Sequence, residues 1–320
     1  MTNAMQVILG IHDAHDASAA IMVNGSIVAA AQEERFTGIK GDYGFPENSI
    51  AFCMKHAGVS PEDIDCIALA TNNLNPVLTK IKRNANFSVA DWIREQEEYW
   101  KPTLLEGKSV NYYDLFKNQP GFKYDDTYPL DHMLNGYMNP AEMAEMKRIR
   151  ISIIADKLGI PKGKIRTIIH EDCHTYYAYF ASPMRGEVLT LTSEGIGDYS
   201  NGSVSTFSES GPKLLSSTRE NHLGHIYQYI TLLLGMKPNQ HEYKVMGLAP
   251  YGSEYEAVRS KAVFDSILKV EGLDIVFDDK PQDLYFHFRD ALHGHRFDGI
   301  ARGLQEFTEA LLSSWVKACC

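Results

Sequence analysis

The sequence is poor in cysteine and has no long apolar run. Its 320 residues include five cysteines, at positions 53, 66, 173, 319 and 320. An odd and scattered set is typical of a reduced protein rather than of a disulfide framework, so we expect a cytoplasmic location. No stretch approaches the roughly 20 apolar residues that span a bilayer. The N-terminus, Met1 to Met5, has no basic, signal-like start, so we expect no membrane partner.

Basic charge is also scarce. The chain has 31 Lys and Arg against 41 Asp and Glu, a formal net charge of −10. This balance argues against a duplex nucleic-acid partner, which needs a basic face. Two short basic runs, residues 80–83 and 147–150, are interpreted as solvated helix faces. The hydrophobic content of 44% is that of an ordinary globular protein, and the length suits about two domain-sized units.

The first third of the chain predicts a hairpin that carries candidate catalytic residues. A strand at Val7–Ile11 precedes a turn with two His and two Asp, and Asn24-Gly25 then separates two apolar runs, which predicts a tight β-turn. His15 beside Asp16 is a candidate general base. The alternative is that Asp16 satisfies backbone donors of the turn while the histidines are solvated. Lys40 is a candidate phosphate ligand or a member of a surface ion pair.

The rest of the chain predicts an α/β protein with repeated units. A helix is expected from Pro46 to Gly58, strands at 64–70 and 165–169, and a second hairpin whose strands, 187–192 and 203–207, flank a glycine-rich turn. Two such hairpins suggest the two related lobes of the actin-like, sugar-kinase-like (ASKHA) fold. We place the first lobe at 1–75 and 151–184 and an incomplete second lobe at 185–320. Residues 76–150 are predicted to be a helical insertion that covers a substrate cleft.

The sharpest local motif is His170-Glu171-Asp172-Cys173-His174. Two histidines at i and i+4 lie one helical turn apart, close enough to share a metal ion. Glu194 or Asp198 of the glycine-rich turn would complete a His/His/carboxylate set. The letters also fit the zinc-protease signature H-E-x-x-H. A β-like segment directly before His170 argues against it, because the protease motif lies inside a longer helix.

Two further features concern phosphate and nucleotide. Gly195 and Gly197 would let backbone amides approach a phosphate. The block His241 to Gly252 reads HEYKVMGLAPYG, has no sustained helical or strand periodicity and holds two glycines and Pro250. It resembles a block of the O-carbamoyltransferases of antibiotic and nodulation-factor biosynthesis. Further segments resemble the same family in the same order: Gly10 to Ala20, Gln32 to Lys40, His170 to His174, Glu194 to Asp198 and Leu223 to Gly235.

The resemblance implies a two-step reaction. An adenylate-forming domain makes carbamoyl adenylate from carbamoyl phosphate and ATP, and the domain seen here passes the carbamoyl group to a hydroxyl of a small metabolite. It implies that His170 and His174 bind an iron-like divalent metal, for which Zn²⁺ and Mn²⁺ are alternatives. Glu194 stands where the family usually has an Asp ligand.

The resemblance also implies roles for residues outside the metal site. His15 with Asp16 would take the proton of the acceptor hydroxyl. Lys40 and the block from Lys244 through Gly247 to Gly252 would line the adenylate or the lobe interface.

The chain departs from the family at its C-terminal end. The family's last metal-binding Asp, its second glycine-rich loop and the adenylate-forming domain all lie beyond residue 320. We therefore expect the adenylate-forming domain in a longer protein or as a partner in trans. Two other functions stay open: a non-catalytic actin-like module that binds nucleotide or a partner, and a relative of the tRNA threonylcarbamoyl-transferases. The acidic charge and the insertion weigh against a tRNA substrate.

Overall fold

The computed structural model describes residues 5–134 and 139–320. Positions 1–4, for which the sequence predicts no signal start, and positions 135–138 of the predicted insertion lie outside the described residues. The chain divides into two compact units. The first holds residues up to Phe87 together with Val110–His170, and the second holds Ser88–Ser109 together with Glu171–Cys320. The predicted lobe and insertion boundaries stay a prediction.

The described residues form strands and helices throughout, which confirms the α/β class. The strands are β1 (Val7–His12), β2 (Ser18–Val23), β3 (Ser26–Gln32), β4 (Cys66–Ala70), β5 (Ile165–Ile168), β6 (Val188–Ser193), β7 (Gly202–Ser208), β8 (Gly211–Thr218), β9 (Leu268–Glu271) and β10 (Asp274–Phe277). The first five form one mixed sheet, and the others form a three-stranded and a two-stranded sheet.

The helices follow the same order along the chain. They are α1 (Glu34–Thr37), α2 (Glu47–Ala57), α3 (Pro76–Lys80), α4 (Arg83–Asn86), α5 (Val89–Arg94), α6 (Tyr112–Phe116), α7 (Pro140–Leu158), α8 (His170–Phe180), α9 (Leu223–Leu233), α10 (Glu242–Leu248), α11 (Glu254–Asp265), α12 (Leu284–Ala291) and α13 (Phe297–Cys319). A π-helical stretch, Glu95–Leu105, continues α5. None of the helices in the described parts of the chain is both long and apolar enough to cross a membrane.

The first unit is built on the five-stranded sheet. Its strand order is β3-β2-β1-β4-β5, with β1 parallel to β4, β4 parallel to β5, and β2 antiparallel to both of its neighbours. Strand β1 alternates buried and half-buried residues, so that Val7, Leu9 and Ile11 enter the core beside residues of α2 and α7. The turn after β1, which carries the predicted catalytic residues, therefore leaves from the middle of the sheet.

The predicted hairpin is confirmed in detail. Asn24 and Gly25 both have positive φ, at 51° and 81°, as a tight turn between two antiparallel strands requires. The helix predicted from Pro46 to Gly58 is α2, and it ends where Gly58 adopts the left-handed conformation with φ of 67°. Local turn and cap chemistry was thus enough to predict these elements.

The second unit packs helices and short sheets around its own core. Strands β6, β7 and β8 form an antiparallel meander, as predicted for β6 and β7. The long helix α13 presents an apolar face, including Leu304, Phe307, Leu311 and Trp315, to this core. These residues recur every three or four positions, which places them on one side of the helix.

The sequence patterns are misleading in two places. The block His241 to Gly252 is mostly helical, because α10 covers Glu242–Leu248 and a 3₁₀ turn covers Ala249–Tyr251. Gly252 has an ordinary φ of −69°, and its need for glycine is close packing: a Cβ there would lie 2.5 Å from the carbonyl oxygen of Asp298. The second error concerns the basic run at 147–150, because Arg150 is fully buried instead of solvated.

Candidate metal centre

Helix α8 carries the two histidines of the predicted metal site. It starts at His170, two residues after β5 ends, which explains why a β-like segment precedes the motif. The boundary between the two units falls directly after His170, within the first turn of this single helix. His170 and His174 are separated by about one turn and project from the same side of α8.

Glu194 joins the two histidines from a different element. It follows directly after β6, at the entry of the glycine-rich turn. One ligand atom of each of His170, His174 and Glu194 lies within 4.8 Å of the others. The Nε2 atom of His174 lies 3.3 Å from the Oε2 atom of Glu194, whose side chain is only 10% exposed while that of His174 is 51% exposed. The site is therefore open on the histidine side and enclosed on the carboxylate side.

Glu171 fixes the turn that follows Glu194. Its buried carboxylate accepts hydrogen bonds from the backbone N–H groups of Asp198 (3.0 Å), Tyr199 (2.6 Å) and Ser200 (2.5 Å). Gly197 allows this approach, because a Cβ at that position would run into the carbonyl oxygen of Ser200 and lie 3.0 Å from the Glu171 carboxyl carbon. The residue after the first histidine thus ties the turn to α8.

The backbone of Glu194 is held from the other side of the turn. Its N–H donates to the carbonyl oxygen of Asn201 at 2.9 Å. Asn221, which is fully buried, donates its backbone N–H to the Asn201 side-chain oxygen (3.1 Å) and its side-chain amide to the Ser193 hydroxyl (3.0 Å). The backbone on either side of the Glu194 carboxylate is therefore held by a network of buried hydrogen bonds.

The donor set fits a divalent transition metal. Two imidazoles and one carboxylate are ligands that iron, zinc and manganese accept. Ligands at metal bonds of about 2.1 Å lie about 3.4 Å apart when they share a tetrahedral ion, and His174 and Glu194 are 3.3 Å apart. The three residues can therefore hold an ion with little rearrangement of this pair.

The zinc-protease alternative does not fit the same geometry. That mechanism needs the glutamate of H-E-x-x-H as a general base beside the metal. Here Glu171 is 6% exposed, and its carboxylate accepts three backbone N–H groups. Glu171 is a structural residue that sequence reasoning considered only as a protease base, and only its position next to His170 hinted at a role in the site.

The predicted general base lies in the first unit. His15 Nδ1 lies 2.9 Å from Asp16 Oδ2, and the His15 side chain is 52% exposed. Because a carboxylate accepts, this contact favours the tautomer with the proton on Nδ1 and leaves Nε2 as the proton acceptor. The hydrogen bond to His15 is the largest effect on the pKa of Asp16 and lowers it. Burial raises this pKa, the charge of His15 lowers it, and the net pKa is lowered. The pair has the arrangement of an oriented histidine base.

The remaining predicted residues have less specific surroundings. Lys40 pairs with Glu34, whose two carboxylate oxygens lie 3.1 Å from Nζ, and the Lys40 side chain is 61% exposed. This ion pair matches the alternative interpretation of Lys40. Lys244 is exposed on α10 with Nζ 5.8 Å from the centre of the Tyr243 ring. A Cβ on Gly195 or Gly247 would meet no atom within 4 Å.

Comparison with known proteins shows which family model the sequence matches. A model of the carbamoyltransferase N-terminus matches residues 7–270. The chain is 29% identical over 245 residues to an uncharacterized protein of Synechocystis, covering 74% of this chain and 33% of that protein. It is 28% identical over 241 residues to the nodulation protein NolNO of Sinorhizobium fredii, covering 74% of this chain and 28% of that protein.

A third relative matches a shorter segment. An uncharacterized protein of Methanocaldococcus jannaschii is 35% identical over 128 residues, which covers 32% of this chain and 21% of that protein. The chain therefore spans about a third or less of the length of these curated relatives. The matched range of the family model contains every residue of the candidate metal centre and the His15–Asp16 pair.

Proposed function

The chain belongs to the carbamoyltransferase family, and from that premise we propose that it transfers a carbamoyl group from carbamoyl adenylate to a hydroxyl of a small-molecule natural product. The observation that carries the proposal is the His170, His174 and Glu194 cluster, which lies within the matched range and has a donor set suited to a metal that binds phosphate oxygens. The donor would be made from carbamoyl phosphate and ATP by an adenylate-forming domain, in the same longer protein or in trans.

The three clustered residues would hold the metal, Fe²⁺ first and Zn²⁺ or Mn²⁺ as alternatives. When bound, such an ion supplies positive charge that neutralises phosphate oxygens. The chain's own contribution is to keep Glu194 facing His174, through the hydrogen bonds of Glu171 and Asn201 to the turn and its ends. Lys40, Lys244 and Gly247 are assigned to the nucleotide by resemblance to the family. Gly195 and Gly197 are assigned to it because they would let backbone amides approach a phosphate.

His15 would act on the acceptor. In the transfer step the acceptor oxygen forms a bond to the carbamoyl carbon, the bond from that carbon to the adenylate phosphate oxygen breaks, and AMP leaves. The acceptor proton goes to Nε2 of His15, and Asp16 stabilises the charged ring through its contact with Nδ1. No redox change occurs, and atoms and charge balance with His15 protonated and AMP as the leaving anion.

We also propose the finer fold assignment, the actin-like, sugar-kinase-like (ASKHA) architecture with two related lobes. Its support is a repeated pattern. Each unit has a three-stranded antiparallel meander, β3-β2-β1 in one and β6-β7-β8 in the other, and the last strand pair of each has a register shift. The shifts fall between Ile21 and Met22 and between Val204 and Ser205.

A cytoplasmic location is proposed from the absence of disulfides among the five cysteines, all of which are described.

The test supplies the donor directly. The chain is incubated with ¹³C-carbamoyl adenylate and a panel of hydroxylated sugars, polyketides and alkaloids, and products are analysed by mass spectrometry. We expect one labelled carbamoyl group on an acceptor, lost in His15→Gln and retained in the exposed control His56→Gln. Nucleotide binding without transfer to any acceptor would favour the non-catalytic module instead. Salt-sensitive tRNA binding would favour the tRNA-modifying relative.

A further inference from the structure

The turn that presents His15 is held by a fully buried ion pair. Asp13 and Arg150 have side chains with 0% exposure. The Arg150 guanidinium donates from Nη2 to Asp13 Oδ1 at 2.6 Å and from Nε to Asp13 Oδ2 at 2.9 Å, a two-point contact that fixes both position and orientation. The Tyr128 hydroxyl donates to Asp13 Oδ2 at 2.7 Å. Asp13 is thus anchored two residues before His15.

Arg150 connects this turn to the neighbouring strand. Its Nη1 atom donates to the carbonyl oxygen of Thr71 at 3.0 Å, and its Nη2 atom to that of Ala70 at 3.2 Å, at the end of β4. Strands β1 and β4 are parallel neighbours. The guanidinium therefore connects the carboxyl ends of two adjacent parallel strands. Burial is the largest single effect and raises the pKa of Asp13, but the charge and hydrogen bonds of Arg150, together with the hydrogen bond of Tyr128, outweigh it, so the net pKa is lowered.

The other flank of His15 is held by a second buried carboxylate residue. The N–H of Ala17 donates to the carbonyl oxygen of Asp42 at 3.0 Å. Asp42 is 3% exposed, and its carboxylate accepts from Lys82 Nζ at 3.1 Å. His15 itself forms an isolated antiparallel bridge with Tyr43. Asp13 and Ala17, which flank the His15–Asp16 pair, are therefore both held: the first by the Arg150 and Tyr128 side chains, the second by the Asp42 backbone carbonyl.

We propose that Arg150 and Tyr128 are positioning residues for His15: by holding Asp13 they set the turn that presents the His15–Asp16 pair. The inference rests on the proposed function, because it assigns to this segment the task of orienting the base. It also accounts for the fully buried charged pair, since such pairs often add no net stability over apolar residues of similar volume. It also gives the segment 76–150 a role in addition to the predicted covering of a cleft.

The experiment follows His15 and its flanking backbone amides by NMR in the whole chain, uniformly labelled with ¹⁵N. In the unmodified protein we expect the His15 signals of an imidazole with the proton on Nδ1. In Arg150→Met we expect them to shift toward the averaged tautomers of a free histidine, and amide hydrogen exchange at Ala14 and Ala17 to rise about tenfold or more. Arg150→Lys, which keeps the charge, should restore part of the signal. The control is Arg148→Met, an exposed arginine on the same helix.

The gentler variant Tyr128→Phe decides the matter if Arg150→Met does not fold, because it removes one hydrogen bond and keeps the ring. We expect the same changes at His15, smaller in size. Where transfer is measurable, kcat should fall by up to about 100-fold with KM changed little, as for a misplaced catalytic group. Unchanged His15 signals and exchange in a folded variant would overturn the inference. Absence of transfer in the unmodified protein would overturn the proposed function alone, since the NMR measurement needs no substrate.

Discussion

The Nε2 atom of His174 lies 3.3 Å from the Oε2 atom of Glu194, although the two residues come from a helix and from the end of a strand. Because they belong to different elements, no regular secondary structure by itself places them next to each other. The contact depends on the turn after Glu194, which the Glu171 carboxylate ties to α8 through three backbone N–H groups. The candidate metal centre is therefore a preformed site with its own supporting hydrogen bonds.

Replacing Glu194 tests its role as a ligand. Glu194→Gln keeps the size of the side chain and removes its charge, so we expect metal affinity to fall by more than the 10–100-fold typical of an outer partner. Isothermal titration with Fe²⁺ under anaerobic conditions, or with Zn²⁺, measures the change. Glu187→Gln, an exposed glutamate near the start of the same hairpin, is the control. Equal affinities for the two variants would remove Glu194 from the site.

Glu171 is expected to act on the metal indirectly. Glu171→Gln leaves one acceptor oxygen in place of two, so the backbone N–H groups of Asp198, Tyr199 and Ser200 lose part of their support. We expect metal affinity to fall about 10–100-fold, while Asp172→Asn, the same chemical change one residue later, has little effect. Proteolytic activity that disappears in Glu171→Gln would instead support the protease alternative.

Local chemistry in the sequence predicted much of the fold. Asn24-Gly25 predicted a tight turn and Gly58 a helix end, because backbone conformations with positive φ select these residues. His170 and His174 were predicted as a pair because i and i+4 positions share a helix face. In each case the information lies within a few residues.

Contacts between distant residues could not be predicted in this way. Arg150 belongs to a basic run that resembles a solvated face, and only the tertiary structure shows its partner Asp13, 137 residues away. Glu171 matched a protease signature, and only the fold shows that it accepts backbone N–H groups from the turn after Glu194. The helical form of the block at 242–251 was missed because glycine and proline obscure its periodicity.

Stability is expected to depend on pH through His12. Burial, followed by the charge of His15, lowers the pKa of His12 from 6.5 to about 4. The folded state thus favours the neutral ring, so its contribution is fully present above pH 6.5 and is lost as pH falls from 6.5 toward about 4. The loss amounts to at most about 3 kcal/mol. Urea unfolding of the unmodified chain across this range measures it.

His12→Gln provides the comparison for that measurement. The His12 Nε2 atom lies 3.0 Å from the carbonyl oxygen of His15, so it donates there, and a glutamine amide can donate in its place. The variant should lose most of the pH dependence between 6.5 and 4 while it remains folded. An equally steep dependence in both proteins would show that other groups cause it.

The block at 241–252 offers a matched pair of glycines. Gly252→Ala places a Cβ 2.5 Å from the Asp298 carbonyl oxygen and 2.9 Å from the Arg302 Cβ, so we expect a loss of about 1–3 kcal/mol of unfolding free energy. Gly247→Ala meets no atom within 4 Å and lies in α10, so a gain of up to about 1 kcal/mol is expected. Thermal or urea unfolding compares them, and equal stabilities would contradict the packing role of Gly252.

Elemental analysis of the anaerobically purified chain tests the central claim most directly. We expect close to one divalent metal per chain, lost in His170→Ala/His174→Ala and retained in His56→Ala/His293→Ala, which removes two exposed histidines elsewhere. Iron would support carbamoyl transfer over the protease alternative. Equal metal content in the two double variants, or no metal in the unmodified chain after incubation with Fe²⁺, Zn²⁺ or Mn²⁺, would contradict the assignment of His170, His174 and Glu194 as a metal centre.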